Sequence, residues 1–196
     1  MKAVLLSIQT EWVEKIVSGQ KTIEVRKTAP KCEAPFKCYI YMAATKERFY
    51  LWEYVTAYEN SKGEILDGSQ KVIGEFVCDK IIEWQYDKGH QYYVEYPDDC
   101  TSYFPYLKCH SEATGLKCSE IEKLGKGKPL YGWHISDLKI YDKPKELREF
   151  FKPCPTKEKG DCFDCDCLAD NDYGGICTNN LTRPPQSWQY VEKEDE

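Results

Sequence analysis

Gly19-Gln20-Lys21-Thr22-Ile23-Glu24-Val25-Arg26 is the stretch whose reading decides the fold. Ahead of it Val13, Ile16 and Val17 recur at helical spacing. Gly19 suits the position just past a helix end, because it takes the left-handed backbone conformation without a Cβ clash. After the glycine the pattern changes to alternation. Ile23 and Val25 face one way and Thr22, Glu24 and Arg26 the other, as in a half-buried strand. A lysine, a carboxylate and an arginine are thus delivered to a helix-strand junction, where polar groups can line a cleft. The same pattern also fits a surface strand whose Glu24 and Arg26 form an exposed ion pair worth about 0–1 kcal/mol.

Working outward, Lys2 to Ile8 reads as a strand. Thr10 is the expected N-cap of a helix running to Ser18, with Glu11 and Glu14 near its positive end. Further strands are expected at Lys21 to Thr28, Phe36 to Met42, Val72 to Trp84 (with Gly74 at a bulge), Trp133 to Tyr141 and Trp188 to Val191. Short helices are expected over Ser119 to Leu124, ended by Gly125, and from Pro144 through Phe151. This order lacks the regular alternation of a doubly wound sheet. It predicts a mainly β (α+β) chain with peripheral helices, a small closed or nearly closed β-barrel. Its 196 residues suit a single domain spanning 1–196, with insertions at about 45–70, 85–117 and 154–181.

Mean hydropathy is -0.65 with 31% charged residues, and no apolar run approaches the roughly 20 residues that cross a bilayer. Ala3 to Leu6 is too short for a signal-peptide core of about 7–15 residues, so a cytoplasmic location is expected. The net charge of -6 is unevenly spread. Residues 1–52 carry nine Lys and Arg against five Glu, whereas from Cys154 onward four Lys and Arg face ten Asp and Glu. The basic half surrounds Lys21, where a short anionic ligand would be drawn.

Four segments, taken in order, resemble the ASCH (activating signal cointegrator homology) domain family. They are the Gly19-x-Lys21-x-x-Glu24-x-Arg26 motif, Val72-Ile73-Gly74-Glu75-Phe76, the run Tyr131 to Leu138, and Pro184-Pro185-Gln186-Ser187-Trp188-Gln189-Tyr190-Val191. The likeness is to bacterial and phage-type members. It implies a barrel similar to PUA domains, which recognise RNA, with the motif lining a cleft. In such a cleft Lys21 and Arg26 meet phosphate or carbonyl oxygens, and Glu24 orients Arg26 or accepts from a base amino group. Trp133 or Tyr190 would stack a base for about 1–3 kcal/mol. His134 reads as a hydrogen-bonded structural histidine.

One enzymatic branch of the family removes acyl groups from N4-acetylcytidine with a lysine, a threonine three residues later and a distant glutamate. Lys21 matches, but Glu24 stands where the threonine belongs, and Thr22 lies on the opposite face from its strand neighbours. Glu120 or Glu122 would be the third residue. An amidohydrolase of this kind would have to use Lys21 and Glu24, with the carboxylate activating water.

Eleven cysteines, an odd number without a secretion signal, point to metal ligands or buried thiols rather than a disulfide framework. Cys154, Cys162, Cys165, Cys167 and Cys177 cluster, and Cys162-Phe163-Asp164-Cys165 has the spacing of a zinc knuckle. Cys100, Cys109, His110 and Cys118 form a looser group, read as unligated. We expect one structural zinc held by Cys162, Cys165, Cys177 and either Cys154 or Cys167, because so few apolar residues lie there that metal must replace the missing core. Protein purified without added metal should then carry one zinc per chain by elemental analysis and melt earlier with chelator. Identical melting with and without chelator would end the idea.

Overall fold

The computed structural model describes residues 3–44, 57–87, 91–93, 112–154, 168–169, 176–177 and 179–193. Among these the chain is mainly β with few helices. The apolar run Ala3–Ile8 forms β1, buried on both faces as the central strand of a six-stranded sheet. Helix α1 (Thr10–Val17) follows, then β2 (Ile23–Arg26), β3 (Phe36–Met42) and a small hairpin of β4 (Ala57–Glu59) and β5 (Ile65–Asp67). Next come β6 (Val72–Cys78), β7 (Ile81–Asp87), β8 (Gln91–Tyr93), helix α2 (Cys118–Gly125), β9 (Leu130–His134) and β10 (Ser136–Lys145). A 3₁₀ turn at Leu147–Glu149 leads to β11 (Phe150–Phe151), β12 (Leu168–Ala169), β13 (Ile176–Cys177) and β14 (Trp188–Lys193).

The large sheet has the order β10-β6-β3-β1-β14-β11 and curls strongly into a half-barrel. β1 runs parallel to β3 (Ala3 opposite Lys37) and antiparallel to β14 (Leu6 opposite Trp188). A second sheet, β2-β9-β7-β8, faces it. The main core fills the space between them with Val4, Leu6, Ile8, Val13, Ile16, Phe36, Ile40, Met42, Phe76 and Trp133. Each such side chain contributes about 1.5–3 kcal/mol on burial. Tyr39, Val72, Phe150 and Val191 pack on the outer face of the large sheet. On the second sheet, α2 lays Ile121 and Leu124 over Val25, Trp84 and Leu130.

Several sequence expectations need correction. Val72 to Trp84 is two strands, β6 and β7, in different sheets, separated at Asp79 and Lys80. Trp133 to Tyr141 is likewise divided between β9 and β10 at Ile135. Pro144 opens no helix. It lies in β10, an edge strand, where a missing backbone N–H breaks no sheet ladder. Thr10 is the first helical residue, not the cap; Gln9 occupies the cap and the Thr10 hydroxyl donates weakly to Ala43 O at 3.5 Å. The barrel is a curled half-barrel over the described residues. Strand β2 is buried on both faces, because α2 packs on Val25 while Glu24 is enclosed between Lys21 and Arg26 and Arg26 reaches Ser7 O of β1. The exposed-ion-pair alternative therefore fails.

The bulge at Gly74 is real and two-sided. Ile40 pairs with Gly74 but Tyr41 with Val72, and the β10 register shifts after the same glycine. A Cβ on Gly74 would sit 2.5 Å from the Lys139 carbonyl oxygen, so only glycine lets β10 approach. Gly74→Ala should cost about 1–3 kcal/mol by forcing β6 and β10 apart, read from the urea midpoint at unchanged slope. A midpoint equal to wild type would show that the contact relaxes freely.

Candidate functional site

Helix α1 ends as its sequence suggests. Gly19 has φ +73° and its N–H donates to Ile16 O at 3.0 Å, while Lys21 N–H donates back to Lys15 O at 2.8 Å. Those two bonds turn the chain sharply and drive the Lys21 side chain inward. Lys21 is 2% exposed, and its ammonium makes three short contacts. It donates to Ile23 O at 2.9 Å and to Thr114 O at 2.7 Å, and lies 3.2 Å from Glu24 Oε2. All three N–H bonds of an ammonium are thereby used.

The second Glu24 oxygen, Oε1, lies 3.0 Å from Arg26 Nη2. Arg26 Nη2 also donates to Ser7 O at 2.9 Å, and Nη1 donates to Ser187 O at 3.1 Å and to Ser187 Oγ at 3.3 Å. One carboxylate thus bridges two cations, and the arginine fork ties β1 to the entry of β14. Burial lowers the Lys21 pKa from its ordinary value, with Glu24 pulling the other way by charge and hydrogen bond. Arg26 Nε and Trp133 Nε1 are buried donors without an acceptor among the described residues.

An aromatic file leads out from this cluster. Trp133, opposite Glu24 in the β2-β9 ladder, is fully buried with its ring 5.6 Å from Phe36 and 5.6 Å from Trp188. Trp188 then meets Tyr190 at 5.5 Å, edge to face. Trp188 and Tyr190 are both half-buried. Trp188 Nε1 donates to Thr28 Oγ1 at 2.9 Å, and Tyr190 Oη accepts from Lys31 N–H at 2.6 Å. The loop after β2, which carries the exposed Lys27 and Lys31, therefore borders both rings.

Lys21, Glu24, Arg26 and Trp133 are thus brought together, with Tyr190 at the outer end of the file. Trp133 has no exposed face for a base, which corrects its reading as a stacking platform; Trp188 is the accessible ring that the sequence reading overlooked. Its place beside Tyr190 in the Pro184 to Val191 run was the available signal. Thr114, Ser7 and Ser187 act largely through backbone carbonyls, for which side-chain type gives no signal. His134 Nδ1 lies 2.7 Å from Asp79 Oδ1, and this hydrogen bond holds the Asp79 carboxyl below its ordinary range. Glu120 is spent on the α2 capping box, accepting from Lys117 N–H at 2.7 Å.

Of the expected zinc ligands, Cys162, Cys165 and Cys167 lie outside the described residues, as does the Cys177 side chain. Cys154 is half-buried. Among the described residues no three His, Cys, Asp or Glu side chains gather as a metal site. Cys38 and Cys78 are buried thiols, and burial pushes Cys78 up to about 12, which keeps it protonated and unreactive. No helix among these residues is long and apolar enough to cross a membrane.

The sequence pattern of the ASCH domain matches residues 6–106, just over half of the chain. No curated protein matches. Among solved structures, an ASCH protein from Zymomonas mobilis is similar at TM-score 0.52 and 16% identity, covering 98% of this chain and 89% of its own. A serine-to-alanine variant of that protein gives 0.53 and 15% over 98% and 89%, and a tyrosine-to-phenylalanine variant 0.53 and 15% over 99% and 93%. At such identity the likeness is one of fold.

Two expectations follow from the buried triad. Glu24→Ala leaves two cations facing each other and should cost about 3–5 kcal/mol, measured by denaturant unfolding. Lys21 has a folded-state pKa below its unfolded one, so the unfolded chain holds the extra proton between those values. Stability of wild type relative to Lys21→Met should therefore rise as pH increases through the lowered folded value toward 10.5. A difference that is flat or falls with pH would contradict the burial argument.

Proposed function

The chain belongs to the ASCH domain family, and on that premise we propose that it binds RNA, or a nucleotide-sized part of one, at the mouth of its half-barrel. The observation that carries this reading is the aromatic file ending in half-buried Trp188 and Tyr190 beside exposed Lys27 and Lys31. Aromatic faces next to flexible cations suit single-stranded nucleic acid, since every base has a π-face and every phosphate a charge. We read the curled sheet as the half-barrel of a PUA-like fold. Behind those rings Arg26 Nε and Trp133 Nε1 are buried donors without an acceptor among the described residues, closed off from a base at the surface. Glu24 and Lys21 hold Arg26 and the surrounding backbone in place behind them. The zinc at Cys154, Cys162, Cys165, Cys167 and Cys177 remains our proposal for the acidic segment, as a structural metal only.

An amidohydrolase acting on N4-acylated cytidine is the weaker reading. Lys21 spends all three N–H bonds on acceptors, so no lone pair is left to take a proton, and Glu24 is shared between two cations. Both Glu24 oxygens are engaged by cations, which leaves neither turned toward a substrate water.

Short single-stranded RNAs titrated at two salt concentrations test the proposal. Affinity should fall with salt through counterion release, and Trp188→Ala with Tyr190→Ala should each cost about 1–3 kcal/mol. Salt-independent binding, or binding indifferent to both rings, would refute it. N4-acetylcytidine should be turned over slowly or not at all, followed by absorbance. Rapid turnover lost in both Lys21→Ala and Glu24→Ala would favour the hydrolase instead.

A further inference from the structure

The segment 112–117 crosses the junction between α1 and β2, pinned by three consecutive carbonyls. Ala113 O accepts from Thr22 N–H at 2.8 Å, Thr114 O from Lys21 Nζ at 2.7 Å, and Gly115 O from Lys15 Nζ at 3.4 Å. Beneath them the Lys15 and Lys21 ammoniums lie 4.6 and 5.4 Å from the Trp12 ring. With Arg26 the cluster holds three cations. Glu24 is the only carboxylate among the described residues in an ion pair with any of them. Positive charge therefore exceeds negative in a largely buried place, and neutral carbonyl dipoles cover the excess. Two ends make the cover a discrete unit: Gly115 turns with φ +68°, and Lys117 is fixed to α2 through its capping box.

We propose that residues 113–115 are a displaceable cover over an anion site, and that a phosphoryl group takes the place of their three carbonyl oxygens. The proposal rests on the reading of the protein as a binder of RNA or nucleotides, and it names where a phosphate goes. The donors are two ammoniums and one backbone amide. The lysine stems are flexible enough to close on the smaller spacing of phosphoryl oxygens, while Thr22 N–H is fixed by β2. Charge-assisted hydrogen bonds to a phosphate are roughly twice as strong as those to neutral carbonyls, and the freed carbonyls find water. The Glu24 carboxylate, 3.2 Å from Lys21, opposes the anion, but Arg26 draws on its other oxygen.

Inorganic phosphate is the probe, against chloride at equal ionic strength. In the wild type, saturating phosphate should speed amide hydrogen exchange of peptides spanning 112–117 by about tenfold, with no such change in chloride. Gly115→Val sets a Cβ at a positive φ, about where an ideal Cβ lies 3.2 Å from Lys15 Cδ, and so loosens the cover. It should bind phosphate about fivefold or more tightly than wild type, since less of the protein is held in the covered state. Gly115→Ala should act in the same direction and more weakly, and serves if the valine variant does not fold. Lys21→Met should abolish binding. Phosphate that binds while slowing exchange or leaving it unchanged would overturn the proposal, as would glycine variants that bind no better or an absence of phosphate binding in all of them. RNA binding that survives such a result leaves the nucleic-acid reading standing and removes only the cover. Phosphate binding enhanced in the glycine variants without any RNA affinity does the reverse.

Discussion

Glu24 is the constraint on which the rest of the structure depends. A carboxylate buried to 6% exposure is tolerable only because each of its oxygens faces a cation, Lys21 on one side and Arg26 on the other. Those cations in turn satisfy carbonyls from four places in the chain, at Ser7, Ile23, Thr114 and Ser187. The triad thereby joins the helix junction, the central strand, the entry to β14 and the segment before α2. Hydrophobic burial supplies most of the stabilising free energy, but it is non-directional. The polar cluster fixes which backbone segments meet.

The same arrangement separates two roles that the motif alone runs together. Groups whose hydrogen bonds are all made within the protein hold its backbone segments together in this state: Lys21 and most of the Arg26 fork. Groups that keep an accessible surface, Trp188 and Tyr190, are the ones our proposal turns toward a ligand. The division follows from counting donors and acceptors rather than from residue type. It explains why a lysine in a basic half of the chain does not itself present a charged surface.

Much of the architecture was legible in the sequence. The helix end at Gly19, the continuous apolar run of β1 and the aromatic alternation of β3 each carry a local signature that the structure preserves. What was lost lay where one strand passes into another without glycine or proline. Asp79 and Lys80 between β6 and β7, and Ile135 between β9 and β10, turn because the strands on either side belong to different sheets. That is a tertiary demand with no local signal. Pro144 misled for the opposite reason, since an edge strand tolerates the residue that suggested a helix. The motif residues were legible as a group, but their burial was not. It depends on carbonyls 93 residues away in the case of Thr114 and 161 in the case of Ser187.

The placement of β14 beside β1 has a consequence for how the chain is made. Ser7 Oγ donates to Pro185 O, a closure of 178 residues, and β1 finds one of its two neighbours only in residues 188–191. A ribosome adding about 5–20 residues each second keeps β1 waiting on the order of ten seconds or more for that neighbour. During the interval Ala3 to Leu6 offer an apolar strand with an open edge, the kind of surface that pairs with another nascent chain. The exposure of this edge should therefore end with the arrival of a single late strand, not decline gradually as the chain lengthens.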